Sequence, residues 1–152
     1  MKSYILTNVL FLLCWSSLLG QKNEEAAIQQ LLENETAAFT KMSFADVVKT
    51  YWIMDEKTLA NVTMPDGNHI HMKLDDLLSQ TEVPPEGHAK VQKMDFRFSI
   101  FDQAALVSFK QTVTTEEGDK VNSHEIRFLE KVNGVWKIHV SSVHQYMPKG
   151  DE

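Results

Sequence analysis

The chain has 152 residues, of which 24% are charged and 43% apolar, with a formal net charge of −6 and a single cysteine. An acidic balance without a basic stripe excludes a nucleic-acid groove, where Lys and Arg must neutralise phosphates, and speaks equally against an anionic membrane surface as partner. One cysteine excludes an intrachain disulfide and a cysteine-rich zinc site, so stability must come from packing.

Lys2 precedes an apolar run from Ile5 through Val9 to Trp15 and on to Leu18 and Leu19, followed by Gly20-Gln21. A positive start, a short apolar stretch and a small residue before a polar segment are the parts of a secretory signal. Residues 1–20 are therefore read as a signal peptide cleaved near Gly20. The mature protein, 21–152, is expected to be secreted or periplasmic, with no membrane contact after cleavage and no cysteine, because Cys14 leaves with the signal. What remains, about 130 residues, is the size of one ordinary domain.

Asn23 is placed to cap a helix that opens on Glu24 and Glu25 and carries Ile28, Leu31, Leu32, Ala38, Phe39 and Met42 at helical spacing. A second, shorter helix is expected from Ser43, with Phe44, Val47, Val48 and Tyr51 on one side. The turn formers Pro65-Asp66-Gly67-Asn68 between Thr58–Met64 and His69–Met72 predict a hairpin. Lys73 to Gln80 reads as a short helix bearing Leu74, Leu77 and Leu78, and Pro84-Pro85-Glu86-Gly87 as a linker.

Beyond the linker the period falls to two. Met94, Phe96, Phe98 and Ile100 alternate with Asp95, Arg97 and Ser99, and Asp102-Gln103 offers a turn into a strand bearing Ala105, Val107 and Phe109. Glu116 to Asp119 turns the chain again, and Asn133-Gly134 joins a strand from about Val121 to Lys131 to a last one from Val135 to about His144. Four long strands make an antiparallel meander, and helices followed by a meander give an α+β domain with the first helix across one sheet face. Pro148 to Glu152 forms a short polar tail.

The segments Glu125-Ile126-Arg127-Phe128-Leu129-Glu130-Lys131, Val132-Asn133-Gly134, Trp136-Lys137-Ile138 and Ser141-Ser142-Val143-His144, in that order, carry a resemblance. With Ala105-Leu106-Val107-Ser108-Phe109 and the helix from Glu24, they are similar to the SnoaL-like, domain-of-unknown-function branch of the nuclear-transport-factor-2-like (NTF2-like) superfamily, in the form of a bacterial exported member. The resemblance covers about 24–146. It implies a cone-shaped, curved antiparallel sheet packed against N-terminal helices, a pocket between them and homodimers, but no single activity.

Strand parity places Trp136, Ile138, Val140, Ser142 and His144 on one face of the last strand, and His124, Ile126 and Phe128 on one face of the strand before it. If these apolar-rich faces line the cone, His124 and His144 are the polar groups of an oily pocket and the first candidates for an acid or base. Tyr51 and Trp52 are placed to close its mouth, Asp55 to serve there as a base, and Phe98, Phe109, Phe128 and Trp136 to touch a ligand. His69 and His71 would share a strand face, but a third ligand at recognisable spacing is missing, so no metal site is expected. The chain lacks a glycine-rich phosphate loop, a nucleophile elbow and a zinc-protease helix motif, and no cofactor is expected. The expectation is a module that binds a small, largely apolar molecule. A cofactor-free isomerase, lyase or hydrolase and a dimerisation module with a filled pocket are the alternatives.

Overall fold

The computed structural model describes residues 3–83 and 89–147, with the side chains of the first helix described from Gly20 onward. The expected linker at Pro84–Gly87 and the polar tail at Pro148–Glu152 lie outside the described residues, as do the side chains of the apolar run before Gly20. In chain order the elements are α1 (Ser3–Ala38), α2 (Phe44–Tyr51), β1 (Leu59–Thr63), β2 (His69–Lys73), α3 (Leu74–Leu78), β3 (Lys90–Phe101), β4 (Ala104–Thr114), β5 (Lys120–Val132) and β6 (Val135–Tyr146).

The first helix differs from expectation in where it begins. It runs unbroken through Gly20, so Asn23 lies inside it and caps nothing. The segment holds no proline, and a lone glycine costs only about 1 kcal/mol relative to alanine, too little to stop a helix that propagates on both sides. The stripe facing the sheet consists of Ile28, Leu32, Glu35 and Ala38, all buried. The second helix starts where the sequence places it: the Ser43 hydroxyl accepts the Asp46 N–H at 3.2 Å and caps α2.

The six strands form one curved, unclosed sheet in the order β2-β1-β6-β5-β4-β3. The meander β3 to β6 is antiparallel as expected, and β1 and β2 form the predicted hairpin. The sheet as a whole is mixed, because β1 lies parallel to β6. Asn133 and Gly134 both have positive φ, 54° and 79°, the geometry of the tight turn that joins β5 to β6.

Two irregularities decide which side chains face the helices. In β3 the pairing with β4 slips between Met94 and Arg97, and Asp95 at the slip has φ of 58°. Lys93 and Phe96, three residues apart, are thereby both turned inward, and Met94, expected inside, is exposed. In β6 the register shifts opposite Phe128 and Leu129, leaving His139 as an extra residue. Trp136 and Ile138 face inward before it and Ser141 faces inward after it.

The core lies between the inner sheet face and the helices. Trp52, Val107, Phe109, Leu129, Trp136 and Ile138 are buried against Ile28 and Leu32. The Phe96 ring stacks on Phe109 at 5.0 Å between centroids and on Phe98 at 5.7 Å. One turn before Ile28 on α1, Glu24 accepts hydrogen bonds from the Lys131 ammonium and the Trp136 indole N–H, each at 2.7 Å, pinning the helix to β5 and β6.

Candidate functional site

The inner faces of β4 and β5 turn polar toward one end of the sheet. Leu129 gives way to Arg127, Glu125 and Ser123 along β5, and Phe109 to Gln111 along β4. Glu125 is 2% exposed and is saturated: Arg127 donates to Oε2 at 2.5 Å, while Gln111 and Ser123 each donate to Oε1 at 2.9 Å. The Arg127 guanidinium also lies over the Phe109 ring, 5.7 Å from its centroid, and its buried Nε has no acceptor among the described residues.

Glu35 approaches the same region from α1. It is also 2% exposed, and among the described residues the hydrogen bond to its carboxylate comes from the Trp52 indole N–H at 2.8 Å. Burial pushes the Glu35 carboxyl up from the usual carboxylate range, against the opposing pull of Arg127. Lys93, partly buried, completes the group. Its ammonium donates to the Thr36 hydroxyl, sits 5.8 Å from the Phe109 centroid and is pulled down from the ordinary lysine range by burial, against the carboxylates of Glu35 and Glu125.

Of these charged groups, Lys93 lines an opening. A cleft of about 440 Å³ runs between α1 and the start of β3, lined by Glu33, Thr36, Ala37, Thr40, Val91 and Lys93 among others. Among the described residues no carboxylate lies within 4.0 Å of the Lys93 ammonium, whereas Arg127 has Glu125. Ala37, Ala89 and Val91 give the cleft its apolar walls, and the Lys93 amine, the hydroxyls of Thr36 and Thr40, Glu33 and Gln92 give it its polar ones.

A second cluster lies on the opposite side of the sheet. The bulged His139 is 7% exposed and sits between two carboxylates: Nδ1 is 3.0 Å from Glu130 and Nε2 is 3.0 Å from Asp55. Its ring lies 6.1 Å from that of Phe128. Asp55 receives the Lys57 N–H at 2.9 Å and a longer bond from Thr58, and so ties the exit of α2 to β6. Burial would raise the Asp55 carboxyl, but the Lys57 N–H and His139 outweigh it and hold the group below its usual range.

The residues expected to form one pocket are divided between these places. Trp52, Phe109 and Trp136 are buried in the core, and Tyr51 and Phe98 pack against it. Trp52 closes no mouth, since its indole is inside and bonded to Glu35. Phe128 lies on the outer face. The parity expected for β5 is reversed, because Ser123, Glu125, Arg127 and Leu129 point inward and their neighbours outward. His124 and His144 pair directly across β5 and β6 on the exposed face, opposite the core, and His144 Nε2 is 3.3 Å from the Ser142 hydroxyl. Asp55 sits in the outer cluster rather than beside an interior pocket. His69 and His71 are exposed on β2, bonded to Thr63 and Asn61 of β1.

The missed interior residues left a signal. Glu35 falls seven residues after Ile28 and three after Leu32, a carboxylate on the apolar stripe of the strongest helix. Ser123-Glu125-Arg127 left none in hydrophobicity, since the outward set His124-Ile126-Phe128 is the more apolar of the two.

The architecture has clear counterparts among solved structures. An NTF2-like protein of unknown function from Shewanella oneidensis superposes with a TM-score of 0.60 at 16% identity, covering 80% of this chain and 98% of the other. This chain has the NTF2-like fold. A DUF3225-family protein from Pectobacterium atrosepticum matches it with a TM-score of 0.60 at 15% identity, over 80% of this chain and 90% of that one. A protein from Nostoc punctiforme described as having a cystatin-like fold matches with a TM-score of 0.58 at 11% identity, over 80% and 90%. No protein-family model and no curated protein sequence matches the chain. In this NTF2-like frame, the helix-covered inner face holds the Glu35–Glu125–Arg127–Lys93 group and the open face holds the His139 clamp.

Proposed function

We propose that this NTF2-like domain is a binding module for a small, largely apolar molecule, held in the cleft between α1 and the start of β3. The supporting observation is the cleft itself, about 440 Å³ in volume, with Ala37, Ala89 and Val91 as its apolar walls and Lys93, Thr36, Thr40, Glu33 and Gln92 as its polar groups. Apolar walls with a few convergent polar groups are the usual form of a small-molecule site. The interior proper is occupied by Trp52, Phe96, Phe109 and Trp136, so the ligand belongs at this flank and not in the centre of the cone.

Native mass spectrometry of the protein purified from its natural host, before and after denaturation, tests the reading. A retained small molecule that is lost in an Ala37→Trp variant supports it. A ligand retained equally by that variant would move the site elsewhere.

A second reading concerns assembly. Leu106 is 46% exposed and Ile126 is 36% exposed on the outer sheet face, beside the partly buried Phe128 and Val140. We propose that this face pairs two copies, with a molar mass twice that of the chain in light scattering as the expected outcome. Export belongs to the same proposal. It rests on the apolar run before Gly20, and N-terminal sequencing of the secreted protein would find a start near Gln21.

A further inference from the structure

Lys93 is held in a way that an ordinary surface lysine is not. The irregularity at Asp95 turns it inward, where its stem is partly buried and its ammonium bonds to a neutral hydroxyl, that of Thr36. Among the described residues it has no carboxylate partner within 4.0 Å, although Glu33 and Glu35 on α1 and Glu125 and Arg127 on β5 surround it at longer range. It also lines the cleft and is therefore open to a bound molecule.

We propose that Lys93 forms a reversible imine with a small apolar aldehyde or ketone bound in the α1–β3 cleft. This rests on the cleft being a binding site and adds the chemical class of its ligand. A lysine amine becomes a nucleophile when its surroundings favour the uncharged form, and burial beside a second cation is an established way to achieve that. Lys93 meets the first condition: burial lowers its proton affinity against the pull of Glu35 and Glu125, which outweighs the smaller push from Arg127. The inward turn at Asp95 and the neutral Thr36 partner leave the amine facing the cleft, with no paired carboxylate among the described residues.

In the step, the nitrogen lone pair forms the bond to the carbonyl carbon and the carbonyl π pair moves to oxygen, which takes a proton from water at the open cleft. The two protons of the neutral amine pass to cleft water, one replacing the proton that the water gave to the oxygen and one reaching the hydroxyl so formed, and the oxygen departs as water when the C=N bond forms. Amine and carbonyl give imine and water, with no change of oxidation state. The Thr36 hydroxyl, which accepts from the ammonium, can donate to the carbinolamine oxygen.

The full chain is incubated near neutral pH with benzaldehyde and sodium cyanoborohydride, which reduces an imine to a stable secondary amine, and each lysine is then quantified by peptide mapping. Lys93 should be labelled at least tenfold faster than the median of the other lysines, with its rate levelling off at lower pH than theirs. In Lys93→Arg, which keeps the charge, labelling at the other lysines should be unchanged. Benzyl alcohol, which has the same shape and cannot form an imine, should protect Lys93 selectively.

Uniform labelling of all lysines, or labelling of Lys93 that benzyl alcohol does not affect, overturns the proposal. The alcohol's own binding, followed by tryptophan fluorescence and by chemical shifts of α1 and β3, separates the two readings. If the alcohol binds in the cleft and Lys93 labels no faster than the rest, the imine falls and the binding site stands. If it does not bind there and Lys93 is not preferred, both fall.

Discussion

The two faces of the sheet hold charge in opposite ways. On the inner face Glu35 and Glu125 are each 2% exposed, and among the described residues they differ in what meets them: Glu125 has a guanidinium and two neutral donors, Glu35 an indole N–H. On the outer face Asp55 and Glu130 are each about two-fifths exposed around a nearly buried His139. Desolvation opposes the charged form in both places. It wins at Glu35, whose carboxyl is raised, and loses at Asp55, where the Lys57 N–H and His139 hold the carboxyl down. The direction of a shift therefore follows from how far the group is buried set against the number and charge of the donors left to oppose that burial.

The largest test of this contrast is Arg127→Met. It leaves Glu125 buried without its cation, and breaking a buried pair from one side costs about 3–5 kcal/mol. Urea unfolding should show a loss of that size, and Glu125→Gln added to it should restore much of the loss, because the amide still accepts from Gln111 and Ser123. A loss below about 1 kcal/mol, the range of an exposed pair, would mean that water reaches the inner cluster and that the two faces are not distinct.

Glu35→Gln sharpens the contrast through its pH dependence. A carboxyl whose folded pKa is raised stabilises the fold fully below its unfolded value and loses that contribution as pH rises through the folded one. For Glu35 the loss begins just above the ordinary carboxylate range. The glutamine variant cannot ionise and can still accept the Trp52 N–H, so its thermal midpoint should gain on the native protein as pH rises from 4 to 8. An advantage that is flat over this range would place the Glu35 titration outside it.

How much of this was legible follows from the same residues. The helices, the meander and the Asn133-Gly134 turn are local features, set by spacing and turn chemistry, and the sequence shows them. The inner cluster depends on parity, and parity is reset by the irregularities at Asp95 and His139, which involve pairing between strands and have no local signature. The irregularities put Met94, on the apolar side of the alternation, in solvent and His144, expected inside with Trp136 and Ile138, on the open face, whereas His124 lies outside because β5 turns its more apolar set outward. Glu35 alone could have been found, as an acid on an apolar stripe.

The irregularity in β3 can be tested directly. Asp95 has φ of 58°, a region that aspartate tolerates and a β-branched residue does not. Asp95→Val should therefore cost about 1–2 kcal/mol, and Asp95→Gly only a few tenths. If Asp95→Val instead removes the slip, Met94 turns inward and Lys93 outward, and an amide-exchange map of β3 would show the change in pairing with β4.

The smallest expected effect belongs to Asp55→Asn, and its value lies in its sign. Asp55 has a lowered carboxyl, so its contribution is present above the ordinary carboxylate range and is lost as pH falls through the folded value. The difference in thermal midpoint between native protein and variant should therefore be positive from pH 5 to 7 and shrink below pH 4. The Glu35→Gln profile must run the other way, with the variant gaining as pH rises. Opposite slopes from two carboxylates in one small domain would follow from the unlike burial and unlike donors of the two. Slopes of the same sign would show that one of them is surrounded differently from the arrangement described, and a more acid-stable Asp55→Asn would point to His139 and Glu130 holding the bulge without it.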